Sequence, residues 1–150
     1  MTVRVPFAAL TLALCLATHV AADDKKNETD LKSMVGNWTV EKAELGGKDS
    51  TVVFKTLKFE IREGGKYTVE LGEKDEGAFT VNASKSPKEM DIMSDQGPNK
   101  GKTIKAIYKL DGDALTVCYN LDPNKPARPE KFESPASSKT FLVTYKRAKK

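Results

Sequence analysis

The sequence has one histidine, His19, and it lies in an N-terminal stretch that reads as a cleavable leader. A chain that loses this stretch has no imidazole, which excludes Ser-His-Asp and Cys-His nucleophilic catalysis and histidine-bound zinc. Cysteine is almost as scarce. Cys15 falls in the same stretch, so Cys118 is the thiol that remains and no internal disulfide can form. With no histidine to lower its pKa, Cys118 reads as a small packed residue and not as a nucleophile. Neither charge sign dominates: there are 25 Lys+Arg against 21 Asp+Glu in 150 residues, with 31% charged and 39% hydrophobic. That balance excludes a disordered polyelectrolyte and a membrane-embedded protein. Cations cluster only at Lys146, Arg147, Lys149 and Lys150, and no basic stripe with interleaved aromatics marks nucleic-acid binding.

What is present begins with the leader. Residues 1–22 carry one cation (Arg4), an apolar stretch from Val5 to Ala17, and small residues Val20 and Ala22 at the minus three and minus one positions before Asp23. This pattern predicts an export signal cleaved after Ala22, and a mature protein that is periplasmic or secreted. The apolar stretch is short of the roughly 20 residues of a spanning helix, so no stable membrane insertion is expected after cleavage. Lipidation at Cys15 is disfavoured because Leu14 stands where a small side chain is needed. Residues 23–32 (DDKKNETDLK) are polar and aperiodic, and predict a flexible tether. Residues 33–150 then suffice for one domain with one core.

Within that domain, helical spacing is nearly absent, and short alternating runs bounded by Gly, Pro, Asn and Asp recur. Eight runs are expected. In the first, Trp38 and Val40 share one face but Ala43 and Leu45 the other, which predicts a bulge near Glu41. After Gly46 and Gly47, the segment 49–55 suits a single helical turn. Leu57, Phe59 and Ile61 lead through Glu63-Gly64-Gly65 into Tyr67, Val69 and Leu71, a hairpin signal. Two short runs follow, with Phe79 and Val81, then Met90 and Ile92. Ile104, Ala106, Tyr108 and Leu110 turn at Asp111-Gly112-Asp113 into Leu115, Val117 and Tyr119. A loop with four prolines in 13 residues separates these from Phe141, Val143 and Tyr145. These alternating residues are taken as the interior, with Cys118 facing outward beside Thr116 and Asn120. Eight sequential antiparallel strands satisfy their edges by closing, so the expected fold is all-β: an eight-stranded antiparallel up-and-down β-barrel.

Gly36-Asn37-Trp38 at the first strand matches the Gly-x-Trp that opens lipocalin-type barrels, and Arg147 ends the last strand where those barrels place an arginine against the tryptophan. A wider pattern covers residues 34–148: Ala43-Glu44-Leu45-Gly46-Gly47-Lys48, Gly97-Pro98-Asn99-Lys100-Gly101-Lys102-Thr103, Ile107 to Leu115, Cys118, Arg128-Pro129 with Phe132, and Lys146-Arg147. In these residues the chain resembles the small secreted lipocalin-like domain family of planctomycetes. The resemblance implies an exported lipocalin-like barrel, with Gly36, Trp38 and Arg147 in structural roles. It lends no chemistry, because that family has no assigned activity. Longer lipocalins carry a disulfide and a helix before the last strand, and neither feature is present in this sequence.

Several chemistry-bearing patterns fail on inspection. Gly101-Lys102-Thr103 ends like a phosphate-binding loop, but Gln96 stands where the motif needs glycine and a strand pattern follows. Glu60 and Glu70 alternate outward, Asp111 and Asp113 belong to a turn, and Glu130 and Glu133 to a loop. None of these forms an inward carboxylate pair. Asp111 and Asp113 are too few for a calcium loop. The triplets at Asn27, Asn37 and Asn82 matter only in a eukaryotic secretory route. No catalytic residue, metal site or cofactor is therefore expected, and the chain is read as a non-enzyme.

Buried phenols want hydrogen-bond partners, which a barrel mouth can supply through a ligand. The expected activity is binding a small apolar or amphipathic molecule, with Phe59, Tyr67, Tyr108 and Tyr119 as walls and Arg128 beside the rim, able to pair with a ligand carboxylate, although a structural ion pair is the commoner role of such an arginine. A carrier of drug-sized ligands would need a cavity of about 300 Å³ or more. The alternative is a filled barrel serving as an envelope interaction module, with the exposed loop around Arg128 and Pro129 meeting a protein partner. A monomer is expected, with no nucleic-acid partner.

Overall fold

Alternation of inward apolar and outward polar residues carries the chain back and forth across one sheet until its ends meet. The computed structural model describes residues 16–149. The elements in order are α1 (Leu16–Met34), β1 (Gly36–Leu45), β2 (Lys48–Asp49), α2 (Thr51–Phe54), β3 (Lys58–Arg62), a 3-10 turn (Glu63–Gly65), β4 (Lys66–Leu71), β5 (Glu73–Asn82), β6 (Lys88–Gln96), β7 (Thr103–Asp111), β8 (Ala114–Asn120) and β9 (Thr140–Arg147). Strand β1 and strands β3 to β9 pair in sequence, all antiparallel, and β1 also pairs with β9, from Trp38 opposite Arg147 to Leu45 opposite Phe141. That pairing closes an eight-stranded barrel. The two-residue β2 is an extra strand on the end of β1.

The closure depends on a bulge. Between Val40 and Lys42 the β1–β9 register shifts by one residue, so Ala43 turns inward after Trp38 and Val40, and all three are buried. This is the irregularity expected near Glu41. The single helical turn α2 likewise falls inside the expected segment. Leu71, expected inside, is 38% exposed because it ends β4 at the rim, just before Gly72. The two runs expected to be short are long strands, with ten residues in β5 and nine in β6.

The core runs the length of the barrel from Met34 and Trp38 at one end to Leu57 and Phe141 at the other. Each large side chain removed from water in this way contributes roughly 1.5–3 kcal/mol. The Trp38 end is closed. Arg147 lies over the Trp38 ring, 4.4 Å from its centroid, and its guanidinium donates to the carbonyls of Val35 (2.8 Å) and Ser33 (2.7 Å). Gly36 makes room for this: a Cβ there would sit 2.8 Å from Arg147 Nη1, at a φ of +141°. The indole Nε1 donates to Met34 O at 2.9 Å, so Trp38 has no unmet polar atom.

Helix α1 covers the same end, which corrects the expectation of a flexible tether over 23–32. Asp23 accepts from Ser84 Oγ (2.5 Å), Asn27 Oδ1 from Ala83 N (2.8 Å), and Asp30 Oδ2 from Lys88 Nζ and Tyr108 OH (2.7 Å each). Leu31 packs on the core and Met34 is fully buried. These contacts recur every three to four residues, so they form one helical stripe. Because most of the stripe is polar, it is invisible to a search for apolar periodicity. The expected leader over 1–22 lies largely outside the described residues.

The proline-rich segment 121–139 holds no helix and lies along the outside of the wall. Cys118 faces outward, as its register requires, but is fully buried there, with Sγ 3.5 Å from Glu133 O. Burial pushes its thiol pKa up, only partly opposed by that contact, which is the behaviour of an unreactive packed cysteine.

Candidate functional site

Opposite the plug, the barrel interior is not filled. A cavity of about 150 Å³ opens between the ends of β3, β4, β5, β6, β7, β8 and β9. One wall is aromatic: the Phe59 and Tyr145 ring centroids are 4.9 Å apart, Tyr119 and Phe141 stack at 5.9 Å, and Phe141 meets Phe54 of α2 at 4.6 Å. The facing wall is built by Val69, Phe79, Met90, Ile92 and Ile104. Eight strands leave an interior just wide enough for packed side chains or one small molecule. Here the inward side chains stop short of the mouth and leave a space of benzene size.

Three phenols border this space. Tyr119 OH and Tyr145 OH lie 3.2 Å apart and share a hydrogen bond. Burial raises both: Tyr145 to about 12, and Tyr119 well above the ordinary value, where the neighbouring Tyr145 reinforces the effect. Burial also pushes Tyr67 up, opposed by Ser94 and reinforced by the Asp75 carboxylate, to about 12. All three are therefore neutral phenols at neutral pH.

The rim holds a polar cluster that the sequence reading missed. Asp75 projects into the cavity and accepts from Ser94 Oγ, from Asn99 Nδ2 at 2.6 Å, and from Tyr67 OH at 3.5 Å. It ties β5 to β6 and to the loop over 97–102. Among the described residues Asp75 is the one carboxylate that lines the cavity. The signal was available: Val81, Phe79, Gly77 and Asp75 continue one alternation, as do Met90, Ile92 and Ser94. Gly77 hides it because it has no side chain to register, and none fits, since a Cβ there would lie 2.0 Å from Met93 O. A wider surface groove of about 380 Å³ lies just outside and shares Asn99, Ile104 and Leu121 with the cavity, so these residues stand between the interior and solvent.

Of the expected ligand residues, the structure brings Phe59, Tyr67 and Tyr119 together in the cavity. Tyr108 is a correction. It lies at the closed end, 1% exposed, with its hydroxyl donating to Asp30 and Lys88 Nζ 5.8 Å from its ring centroid. Burial first, then the hydrogen bond and charge of Asp30, push its pKa far up. The sequence predicts that Tyr108 faces inward but not toward which end, and the acceptor that holds it comes from α1.

Arg128 is a second correction. It is neither at the mouth nor free for a partner. Its guanidinium lies against the outer wall and donates to Met90 O (2.9 Å), Ala106 O (2.7 Å) and Asp91 Oδ1 (2.5 Å), with its side chain 22% exposed. Asp91 also accepts from Lys105 at 2.5 Å. Burial raises the Asp91 carboxyl, but the hydrogen bonds and charges of Lys105 and Arg128 outweigh it and hold the pKa below the ordinary value of 3.8. Arg128 and Pro129 are themselves half-buried, whereas Pro123 to Ala127 before them and Glu130 and Lys131 after them are exposed.

Among the described residues, no cluster of three or more His, Cys, Asp or Glu side chains could hold a metal ion, and no helix is long and apolar enough to cross a membrane. Comparison with protein-family models, with curated proteins and with solved structures yields no match to this chain.

Proposed function

We propose that this chain is an exported, non-catalytic, lipocalin-like binding protein that holds one small apolar molecule at the open end of its barrel. The observation that carries the reading is the cavity of about 150 Å³, walled by apolar and aromatic side chains and bordered by a few polar groups. That composition is typical of small-molecule sites. Its volume is half of what a drug-sized ligand needs, so the ligand is compact. Export is supported by the leader pattern of residues 1–22, with cleavage expected just before Asp23. A chain starting there keeps the helical cap that closes the other end.

Native mass spectrometry of the protein isolated from its own host tests the reading. A mature chain beginning at Asp23 and carrying a co-purifying small molecule supports it. A leader retained on the chain would refute export. If the protein emerges ligand-free, and no small apolar compound raises its melting temperature, the filled-barrel interaction module replaces the binding reading.

A further inference from the structure

The cavity's hydrogen bonding specifies the kind of ligand more narrowly than its volume does. Two neutral phenols bring two hydroxyl hydrogens, and the 3.2 Å contact between Tyr119 and Tyr145 uses one of them. Among the described residues no other acceptor lies within hydrogen-bonding distance of either oxygen, so one donor is left over. Either hydroxyl can be the one that carries it, and both belong to the barrel interior: Tyr145 is 2% exposed and Tyr119 is half-buried. Buried polar groups in folded proteins almost always find partners, and the empty volume here is the place where this one can do so.

The walls and the rim add two further constraints. Phe59, Tyr145, Tyr119 and Phe141 present an aromatic wall, with the Phe59 and Tyr145 rings tilted by 50° and Tyr119 and Phe141 stacked within 23°, and the space holds about one six-membered ring. Asp75 reaches the same cavity, and three donors already occupy its carboxylate. A second anion beside it would meet like-charge repulsion in a partly desolvated site. We infer that the ligand is a neutral single-ring compound bearing a carbonyl-type acceptor, which receives the spare hydroxyl hydrogen of the Tyr119–Tyr145 pair. This inference rests on the binding reading above and names the chemistry of that site.

Matched probes separate it from that reading. Acetophenone and α-methylstyrene have the same shape, with an oxygen in one and a methylene in the other. Their affinities are to be measured by calorimetry or ligand-observed NMR on the wild type and on a Tyr119→Phe/Tyr145→Phe double variant, with benzoate as the anionic comparison. Removing both hydroxyls together leaves no orphaned polar group, so the variant is expected to fold. The expected result is a loss of about 3- to 10-fold in acetophenone affinity in the variant, the worth of one hydrogen bond. Binding of α-methylstyrene should be unchanged or tighter, and benzoate should bind more weakly than acetophenone to either protein. Equal acetophenone affinity in the two proteins, or equal losses for both ring probes, would overturn the acceptor assignment while leaving a binding barrel. Benzoate binding as tight as that of acetophenone would overturn the neutrality of the ligand. If none of the three binds, the binding reading itself fails.

Discussion

Replacing Arg147 with methionine keeps most of its alkyl volume and removes its charge and donors, which makes it a clean test of the closed end. Four interactions are lost. The contact over Trp38 at 4.4 Å is partly desolvated, which places it at about 1 kcal/mol. The bond to Val35 O at 2.8 Å is charge-assisted and leaves a half-buried carbonyl without its partner, a loss of roughly 1.5–3 kcal/mol. The bond to Ser33 O is at the surface, where water can replace it, so it adds less. The ion pair with Asp113 adds nothing measurable, because that carboxylate is 78% exposed. The whole should come to about 3 kcal/mol, which lowers the urea midpoint by roughly 1–2 M for a domain of this size. Fluorescence of Trp38, the single tryptophan, reports the transition directly. Asp113→Ala serves as the control and should change stability by less than about 0.5 kcal/mol. An Arg147→Met protein within about 0.5 kcal/mol of the wild type would refute the plug.

The cap, the outer clip and the thiol each make a separate prediction. Asp30→Ala leaves the buried Tyr108 hydroxyl without its acceptor, at a cost of about 1–3 kcal/mol, and should raise hydrogen exchange in residues 23–33; a protein with unchanged exchange there would return α1 to a tether. Asp91→Asn should lower the melting temperature at neutral pH. Because the folded-state pKa of Asp91 is depressed, its contribution is fully present above the ordinary value of 3.8 and is lost as pH falls through the lower folded value, so the two melting curves should converge in that acidic range. Convergence at a higher pH would refute the clip. Cys118 should resist a thiol reagent until the protein unfolds, and modification as fast as that of a free thiol would show that the loop does not cover it.

What could be read from the sequence was whatever obeyed the two-residue period with apolar side chains. Trp38, Phe59, Tyr67, Tyr119 and Tyr145 lie inside because that period places them there, and the bulge at Glu41 shows as a break in it. The cavity rim broke the rule in chemistry and not in geometry: Asp75 and Ser94 keep the alternation but are polar, so β5 reads as starting too late and β6 as ending too soon. The helix α1 failed the same test, since its barrel-facing stripe of Asp23, Asn27 and Asp30 is indistinguishable by composition from solvated tether. Arg128 was misplaced because a loop's path over the outer wall depends on partners far away in sequence, at Met90, Asp91 and Ala106, and no local pattern encodes those.

The central claim is that a closed barrel, plugged at Trp38, keeps an unfilled apolar space at its other end. A crystal of the protein pressurised with xenon tests that claim directly, because xenon enters dry apolar cavities of this volume. Xenon density among Phe59, Phe79, Ile92, Tyr119 and Phe141 is the predicted result. Side chains closed across that space, with no xenon inside the barrel, would contradict it.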